Sequence, residues 1–250
     1  MSNNPFATEE MAAGYATSRP PVHPLVVEQA WCAMDLPRPV RRALDVGCGA
    51  GASTKALAGF AEQCIGLEPA AAMLRLAPRI APDAAFAVGA AEHIPIRNRS
   101  IDVMTAAGSL NYVNLDLFFP EAVRVLAPQG VLIAYDFSAG KSFRNTTDLD
   151  DWFSRFTNRY PMPVKEAREL NPEILRRLGL RVRHSQQFEI GIVLSRAFYL
   201  DYMMTETNVA SAVRGGTPNS NIRSWCAETL SEAWGDEDRE VLFRGYFACV

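Results

Sequence analysis

No run of apolar residues in this 250-residue chain reaches the roughly 20 needed to cross a bilayer. Cysteine is sparse and odd in number: Cys32, Cys48, Cys64, Cys226 and Cys249 are scattered, and no two form a Cys-x-x-Cys pair. That argues against a disulfide framework and against a zinc site, and no metal is expected. Basic residues are not in excess, 25 against 28 acidic ones for a net charge of −3, which disfavours a protein that holds nucleic acid mainly by charge. The first fifteen residues lack the basic region, apolar run and small-residue cleavage site of a secretory leader, so a cytoplasmic protein with reduced thiols is expected. No internal repeat or low-complexity tract is found. What is present is ordinary for a globular chain, 48% apolar and 21% charged, enough for one large α/β domain or one domain with an appended lobe.

From Arg41 onward, short apolar segments alternate with helical ones. The pattern predicts strands over 43–46, 64–67, 84–88, 101–106 and 131–137, with helices over 53–61, 70–80 and 117–126 between them. Pro128-Gln129-Gly130 reads as the turn into the fifth strand. Such alternation means βαβ units and a doubly wound, mostly parallel sheet covered on both faces. Before it come a predicted helix over 9–15, a stiff stretch over 18–24 with three prolines, and a helix over 25–34. After it, residues 139–170 read as a helical cap insertion, with Trp152, Phe153, Phe156 and Tyr160 between charged positions. Pro172 opens a further helix that Gly179 ends, strand material runs over 181–194, helices over 198–209 and 222–234, and a closing strand over 240–250.

Gly47-x-Gly49-x-Gly51 follows the first strand, the junction at which α/β folds bind nucleotide-like ligands. Two readings compete there. As Gly47-x-Gly49-x-x-Ala52, with Glu68 near the distance of a ribose-binding acid, the turn satisfies a dinucleotide fingerprint and suggests a nicotinamide-dependent oxidoreductase. Asp45, two residues before the first glycine, favours the other: a carboxylate there repels a pyrophosphate and suits a ligand carrying an ammonium and a sulfonium. No Ser-Tyr-x-x-x-Lys or similar hydride-transfer set is found.

At Leu44-Asp45-Val46-Gly47-Cys48-Gly49-Ala50-Gly51 the chain resembles the class I S-adenosylmethionine-dependent methyltransferases, in their small-molecule branch. The resemblance continues through Gly66-Leu67-Glu68-Pro69, Val88-Gly89-Ala90-Ala91-Glu92-His93-Ile94-Pro95-Ile96, Ser100-Ile101-Asp102-Val103 and Glu121-Ala122-Val123-Arg124-Val125-Leu126-Ala127-Pro128-Gln129-Gly130. These motifs cover residues 41–138 in order and at normal spacing, and Gly14 to Pro20 looks like the family's lid segment. The resemblance implies a seven-stranded Rossmann-like methyltransferase sheet, S-adenosylmethionine as cofactor and S-adenosylhomocysteine as its product. It divides the chain into a lid over 1–40, a cofactor-binding core over 41–138, a cap over 139–170, and the last strands with substrate-side helices over 171–250. It also implies site roles. Asp45, Gly47, Cys48, Gly49 and Gly51 would surround the methionine part, and Glu68 would accept from both ribose hydroxyls. Met73 would pack on the adenine, Ala91 and Glu92 would lie at its edge, and Tyr15 and Arg19 would close over the ligand with Arg19 on its carboxylate. For Met73 ordinary helix core is an equal alternative, and for Arg19 a surface ion pair stays open.

The acceptor is expected beside the ends of the fourth and fifth strands, where Asn111, Tyr112 and Asp136 lie. Asp136 is the candidate base or the cap of a turn, and His23 faces the acceptor or packs. Asn111-Tyr112 lacks the two prolines of the Asn-Pro-Pro-Tyr motif of nucleic-acid amino methyltransferases, a further argument against a nucleic-acid acceptor. Trp152, Phe156, Tyr160, Tyr199, Tyr202 and Met203 would line a substrate pocket, or form the core of the cap. The expected partner is a small molecule, not nucleic acid or membrane, with the protein a monomer or homodimer. Cyclase-like chemistry on the same cofactor, or an inactive binding subunit, is an alternative that no residue separates. Removal of either Asp45 or Glu68 is expected to weaken cofactor binding and to leave the fold intact.

Overall fold

The computed structural model describes residues 18–163 and 172–250; the predicted helix over 9–15, and Tyr15 with it, lie outside these residues. The described chain divides into two units. A sheet unit comprises 23–137, 172–188 and 245–250, and an aromatic unit comprises 18–22, 138–163 and 189–244.

In the sheet unit, β1 (Val40–Val46), β2 (Ala61–Glu68), β3 (Ala85–Val88), β4 (Ile101–Ala107) and β5 (Leu126–Phe137) are parallel, in the order β3-β2-β1-β4-β5. The last half of β8 (Arg239–Cys249) pairs antiparallel with β5, from Ile133↔Cys249 to Phe137↔Gly245, and β7 (His184–Leu194) also pairs with β8. These strands are mostly parallel and doubly wound, as the alternation predicts, but the sheet they belong to has eight strands where seven were expected. Their apolar runs are continuous because helices cover the sheet on both faces: Leu44, Met104, Leu132 and Ile133 are all buried. Helix α5 (Leu115–Val125) shows the matching period, burying Leu115, Phe118, Phe119, Ala122 and Val125. Each of its two fully buried phenylalanines contributes about 1.5–3 kcal/mol. The strand order reverses between β1 and β4, and ligands of such sheets bind outside the strand ends at that reversal.

Among the boundaries that differ from the sequence expectation, three in this unit have a local reason. The helix predicted over 70–80 is two short ones, α3 (Ala71–Leu74) and α4 (Ala77–Ile80), because Pro78 has no N–H to offer the Leu74 carbonyl. Helix α1 (Val22–Ala33) starts earlier than predicted, since Pro24 falls in its first turn, where no intrahelical donor is required. The Pro128-Gln129-Gly130 stretch lies within β5 as an irregularity: Ile101 pairs with Leu126, but Val103 pairs with Val131. Helix α2 (Ala52–Ala58) links β1 to β2, and α7 (Pro172–Arg177) is followed by Gly179 at φ 72°.

The aromatic unit holds β6 (Ser142–Phe143), which pairs with the first half of β8, and helices α6 (Asp148–Arg159), α8 (Arg196–Met203), α9 (Thr207–Arg214) and α10 (Asn219–Trp234). The single helix predicted over 198–209 is divided into α8 and α9. Thr205 Oγ1 donates to the Tyr202 carbonyl at 2.7 Å, and Glu206 is extended at φ −72°, ψ 150°, which ends one helix and opens the next. Helix α10 buries Ile222, Cys226, Leu230 and Trp234, one every fourth residue. Trp152 stacks on Phe156 with centroids 5.2 Å apart, and Tyr199 meets both Trp152 at 6.0 Å and Trp234 at 4.9 Å. Their polar handles are satisfied: Trp152 Nε1 donates to Thr229 Oγ1 at 3.0 Å and the Tyr199 hydroxyl to the Gly140 carbonyl at 2.6 Å. Among the described residues no helix is long and apolar enough to cross a membrane.

Candidate active site

The glycine turn is anchored from beneath by Asp45. This residue has no exposed surface and pairs in register with Gly66 of β2 and Thr105 of β4. Its Oδ2 accepts from Ser53 Oγ at 2.6 Å and Thr54 Oγ1 at 2.7 Å, and its Oδ1 from Thr105 Oγ1 at 2.7 Å. Burial pushes its carboxyl above the ordinary range while the three hydroxyl bonds pull it back. Both oxygens are therefore engaged within the fold. The resemblance places Asp45 directly around the methionine part; the structure gives its carboxylate an anchoring position among three hydroxyls.

At the turn itself Gly47 has φ 70°, and a Cβ there would stand 2.4 Å from Ser109 Cβ, so only glycine fits. Ser109 also donates its hydroxyl to the Val46 carbonyl at 2.8 Å, tying the end of β1 to the loop after β4. Cys48 is buried, its Sγ directed at the Gly49 carbonyl at 3.8 Å, and burial raises its thiol strongly, so it stays a neutral packing group. Met73 is 3% exposed, and its methyl lies 3.3 Å from where a Cβ on Gly49 would be. It packs on the turn.

Glu68 ends β2 beside the turn. Its Oε2 accepts the Gly49 amide at 3.0 Å and its Oε1 the Ala70 amide at 2.8 Å, which fixes the carboxylate plane and leaves acceptor capacity on both oxygens. Burial pushes its carboxyl up, and the two amides oppose that. A carboxyl group with spare lone pairs, held against a glycine turn, suits a vicinal diol.

The loop after β3 is held by residues to which sequence reasoning gave no role. Glu121 accepts the Ile94 amide at 2.7 Å and is bridged through both oxygens by Arg124, whose guanidinium also donates to the carbonyls of Ile94 and Ile96 at 2.7 and 2.8 Å and to Asn98 Oδ1 at 2.7 Å. Glu92 accepts the Asn114 amide at 2.8 Å, and Ala91 is buried in the core with Ile94. The Arg124 guanidinium beside Glu121 holds that carboxyl down at about 2, below its ordinary 4.5. A depressed carboxyl contributes stability above its unfolded value and loses it as pH falls through the folded one. The tether should thus hold at neutral pH and fade between pH 4.5 and 2. Hydrogen exchange at the Ile94 amide checks this: Glu121→Gln should speed exchange at pH 7 at least tenfold, and an unchanged rate would deny the tether.

The residues expected near the acceptor are partly brought together. Asp136 Oδ2 accepts from Asn111 Nδ2 at 2.9 Å, and its Oδ1 from the Phe137 amide at 2.8 Å. His23 Nδ1 and the Tyr135 hydroxyl share a hydrogen bond of 2.9 Å, and the His23 ring lies edge-on to Phe137 at 5.2 Å. Tyr112 is 51% exposed on the short 3₁₀ turn Leu110–Tyr112.

In the aromatic unit two expectations change. Arg19 pairs with Glu206 at 3.2 Å and lies over the Tyr202 ring, 5.1 Å from its centroid, so its charge is already opposed by a carboxylate. Trp152, Phe156, Tyr160, Tyr199, Tyr202 and Met203 are at most 6% exposed and pack on one another. They form the core of their unit, the second of the two readings open at those positions, because side chains at helical spacing close on each other before they enclose a ligand. Among the described residues no group of three or more His, Cys, Asp or Glu could hold a metal ion.

A Rossmann-like sheet with a glycine turn between two buried carboxylates at the strand reversal defines a methyltransferase-type domain. Residues 44–134 match the family described as "Methyltransferase domain". A protein of Dictyostelium discoideum named as a methyltransferase is 31% identical over 103 residues, 41% of this chain and 39% of its own. The phthiotriol/phenolphthiotriol dimycocerosates methyltransferase of Mycobacterium leprae is 30% identical over 151 residues, 58% of this chain and 53% of its own. A solved structure from Anaeromyxobacter dehalogenans, described as a candidate type II methyltransferase, matches with TM-score 0.62 and 27% identity, over 83% of this chain and 87% of that one. Residues 44–134 thus form a methyltransferase domain, and over a longer stretch the chain is similar to methyltransferases. Its matches to the curated relatives span about two fifths to one half of their length.

Proposed function

We propose that the protein binds S-adenosylmethionine at the glycine turn and transfers its methyl group to a small organic acceptor. The observation that carries this reading is Glu68: a nearly buried carboxylate, oriented by the amides of Gly49 and Ala70, with lone pairs to spare for the two hydroxyls of a ribose. Gly47, Gly49 and Gly51 let the main chain approach the methionine part, and Asp45 adds negative charge from behind the turn. The Glu121–Arg124 tether holds the loop carrying Ala91 and Glu92 in place for the adenine edge. When bound, the cofactor supplies an electrophilic methyl on a sulfonium. The chain's work is to hold the acceptor in line and exclude water.

In this reading Asp136, which accepts a hydrogen bond from Asn111, takes a proton from the acceptor. Asp136→Asn should slow turnover at least tenfold while leaving the affinity for S-adenosylhomocysteine within about twofold. Normal turnover across the pH range would reduce Asp136 to a support for Asn111. The name of the Mycobacterium leprae relative favours an organic molecule as acceptor. The reading is tested by incubating the chain with methyl-labelled S-adenosylmethionine and panels of organic hydroxyl and amine compounds. Labelled acceptor in step with S-adenosylhomocysteine supports it. Methylthioadenosine instead, or no turnover with bound cofactor, would assign other sulfonium chemistry or a binding role.

A further inference from the structure

A second concavity lies at the other end of the parallel strands, where β4 and β5 begin rather than where the glycine turn follows β1. It is a recess of about 450 Å³ within the sheet unit, a size at which small-molecule sites occur. Its floor is apolar, built by Leu126 and Leu132 of β5 and by Leu180, which follows α7. Arg99, Arg181 and Arg183 complete the lining, and no acidic side chain takes part in it. Among the described residues none of these three arginines forms an ion pair.

The combination is specific in its chemistry. Three guanidinium groups around one concavity repel each other, and an anion relieves that repulsion. Guanidinium groups select planar or tetrahedral oxyanions through paired N–H donors. The leucine floor asks for something more than an oxyanion, because burying it requires apolar surface on the ligand. Gly179, at φ 72°, has no atom within 4 Å of where a Cβ would stand, so the wall next to Leu180 is open to an incoming group.

We infer that this recess is a binding site for an amphipathic organic anion, a carboxylate or phosphate head on a short apolar body, taken up as a free molecule. The site is independent of the proposed methyl transfer and shares no residue with it. Its occupant meets α5 at Ala122 and Val123, the residues between Glu121 and Arg124, so occupancy bears on the same helix that tethers the loop after β3.

The test is calorimetric titration of the full chain with decanoate, below its micelle concentration, beside decyltrimethylammonium, inorganic phosphate and phosphatidylglycerol vesicles. Saturable one-to-one binding of decanoate is expected, with at least tenfold weaker binding of the cationic probe and of phosphate. Arg181→Glu combined with Arg183→Glu should weaken decanoate at least tenfold, and Leu180→Gln should do so without changing charge. Both variants should keep wild-type circular dichroism and the wild-type response to S-adenosylhomocysteine, so a failure here is distinguishable from a failure of the proposed function. Decanoate affinity unchanged by the charge reversal, or equal for the two decyl probes, would overturn the site. Phosphate binding as tightly as decanoate would overturn the apolar part of the inference, and binding to vesicles alone would make the recess a membrane contact instead.

Discussion

Asp45→Ala is expected to cost about 3–5 kcal/mol of stability, a loss of roughly 6–20 °C in Tm for a chain of this size. The carboxylate is wholly buried and accepts from Ser53, Thr54 and Thr105, so its removal leaves three buried hydroxyls without their acceptor. Those hydroxyls belong to α2 and β4, and their common bond to β1 is what fixes the start of α2 against the sheet. Asp45→Asn separates the effects. Its carboxamide still accepts on one side, and the hydroxyls can rotate to accept on the other, so about half the loss should be recovered. Urea unfolding of the three proteins measures this. A loss under about 1 kcal/mol for Asp45→Ala would mean that the hydroxyls find other partners and that Asp45 is no anchor.

Glu68→Ala is expected to weaken S-adenosylhomocysteine binding at least a hundredfold. Two hydrogen bonds from ribose hydroxyls to a carboxylate are worth about 1.5–3 kcal/mol each, and about 1.4 kcal/mol is a factor of ten. The loss should fall on the ligand more than on the fold, because the amides of Gly49 and Ala70, released from the carboxylate, lie beside the open turn where water can reach them. Glu68→Gln keeps one carbonyl acceptor and should fall between the two. Titration of the three proteins with S-adenosylhomocysteine decides, and an affinity within threefold of wild type for Glu68→Ala would remove the residue from the site.

The parallel sheet was legible because its strands are buried on both faces and so are written as uninterrupted apolar runs such as Ala43-Leu44-Asp45-Val46. Within such a run Asp45 stood out, yet the sequence could not say where its carboxylate points. Its partners Ser53, Thr54 and Thr105 come from two other elements, and only the register of β1 against β4 brings Thr105 across from it. For the same reason the three hydroxyl bonds of Asp45 turn the expectation for its removal from a harmless change of the fold into a loss of stability, which the urea experiment decides. The Glu121–Arg124 tether escaped notice because its bonds go to backbone groups 27 to 30 residues away, which no side-chain pattern records. The aromatic residues of the cap were ambiguous in principle: Trp152 and Phe156 lie four residues apart, a spacing that serves a core and a pocket equally, and burial alone separates the two.

The most direct test of the central claim is thermal unfolding of the full chain with S-adenosylmethionine, S-adenosylhomocysteine and NAD in parallel. A ligand present at 100 times its Kd adds about 2.7 kcal/mol, or roughly 5–10 °C for a domain of this size. A rise is expected with both adenosyl ligands and none with NAD, and the rise should be lost in Glu68→Ala. A rise with NAD alone would contradict the proposed function and return the glycine turn to a dinucleotide.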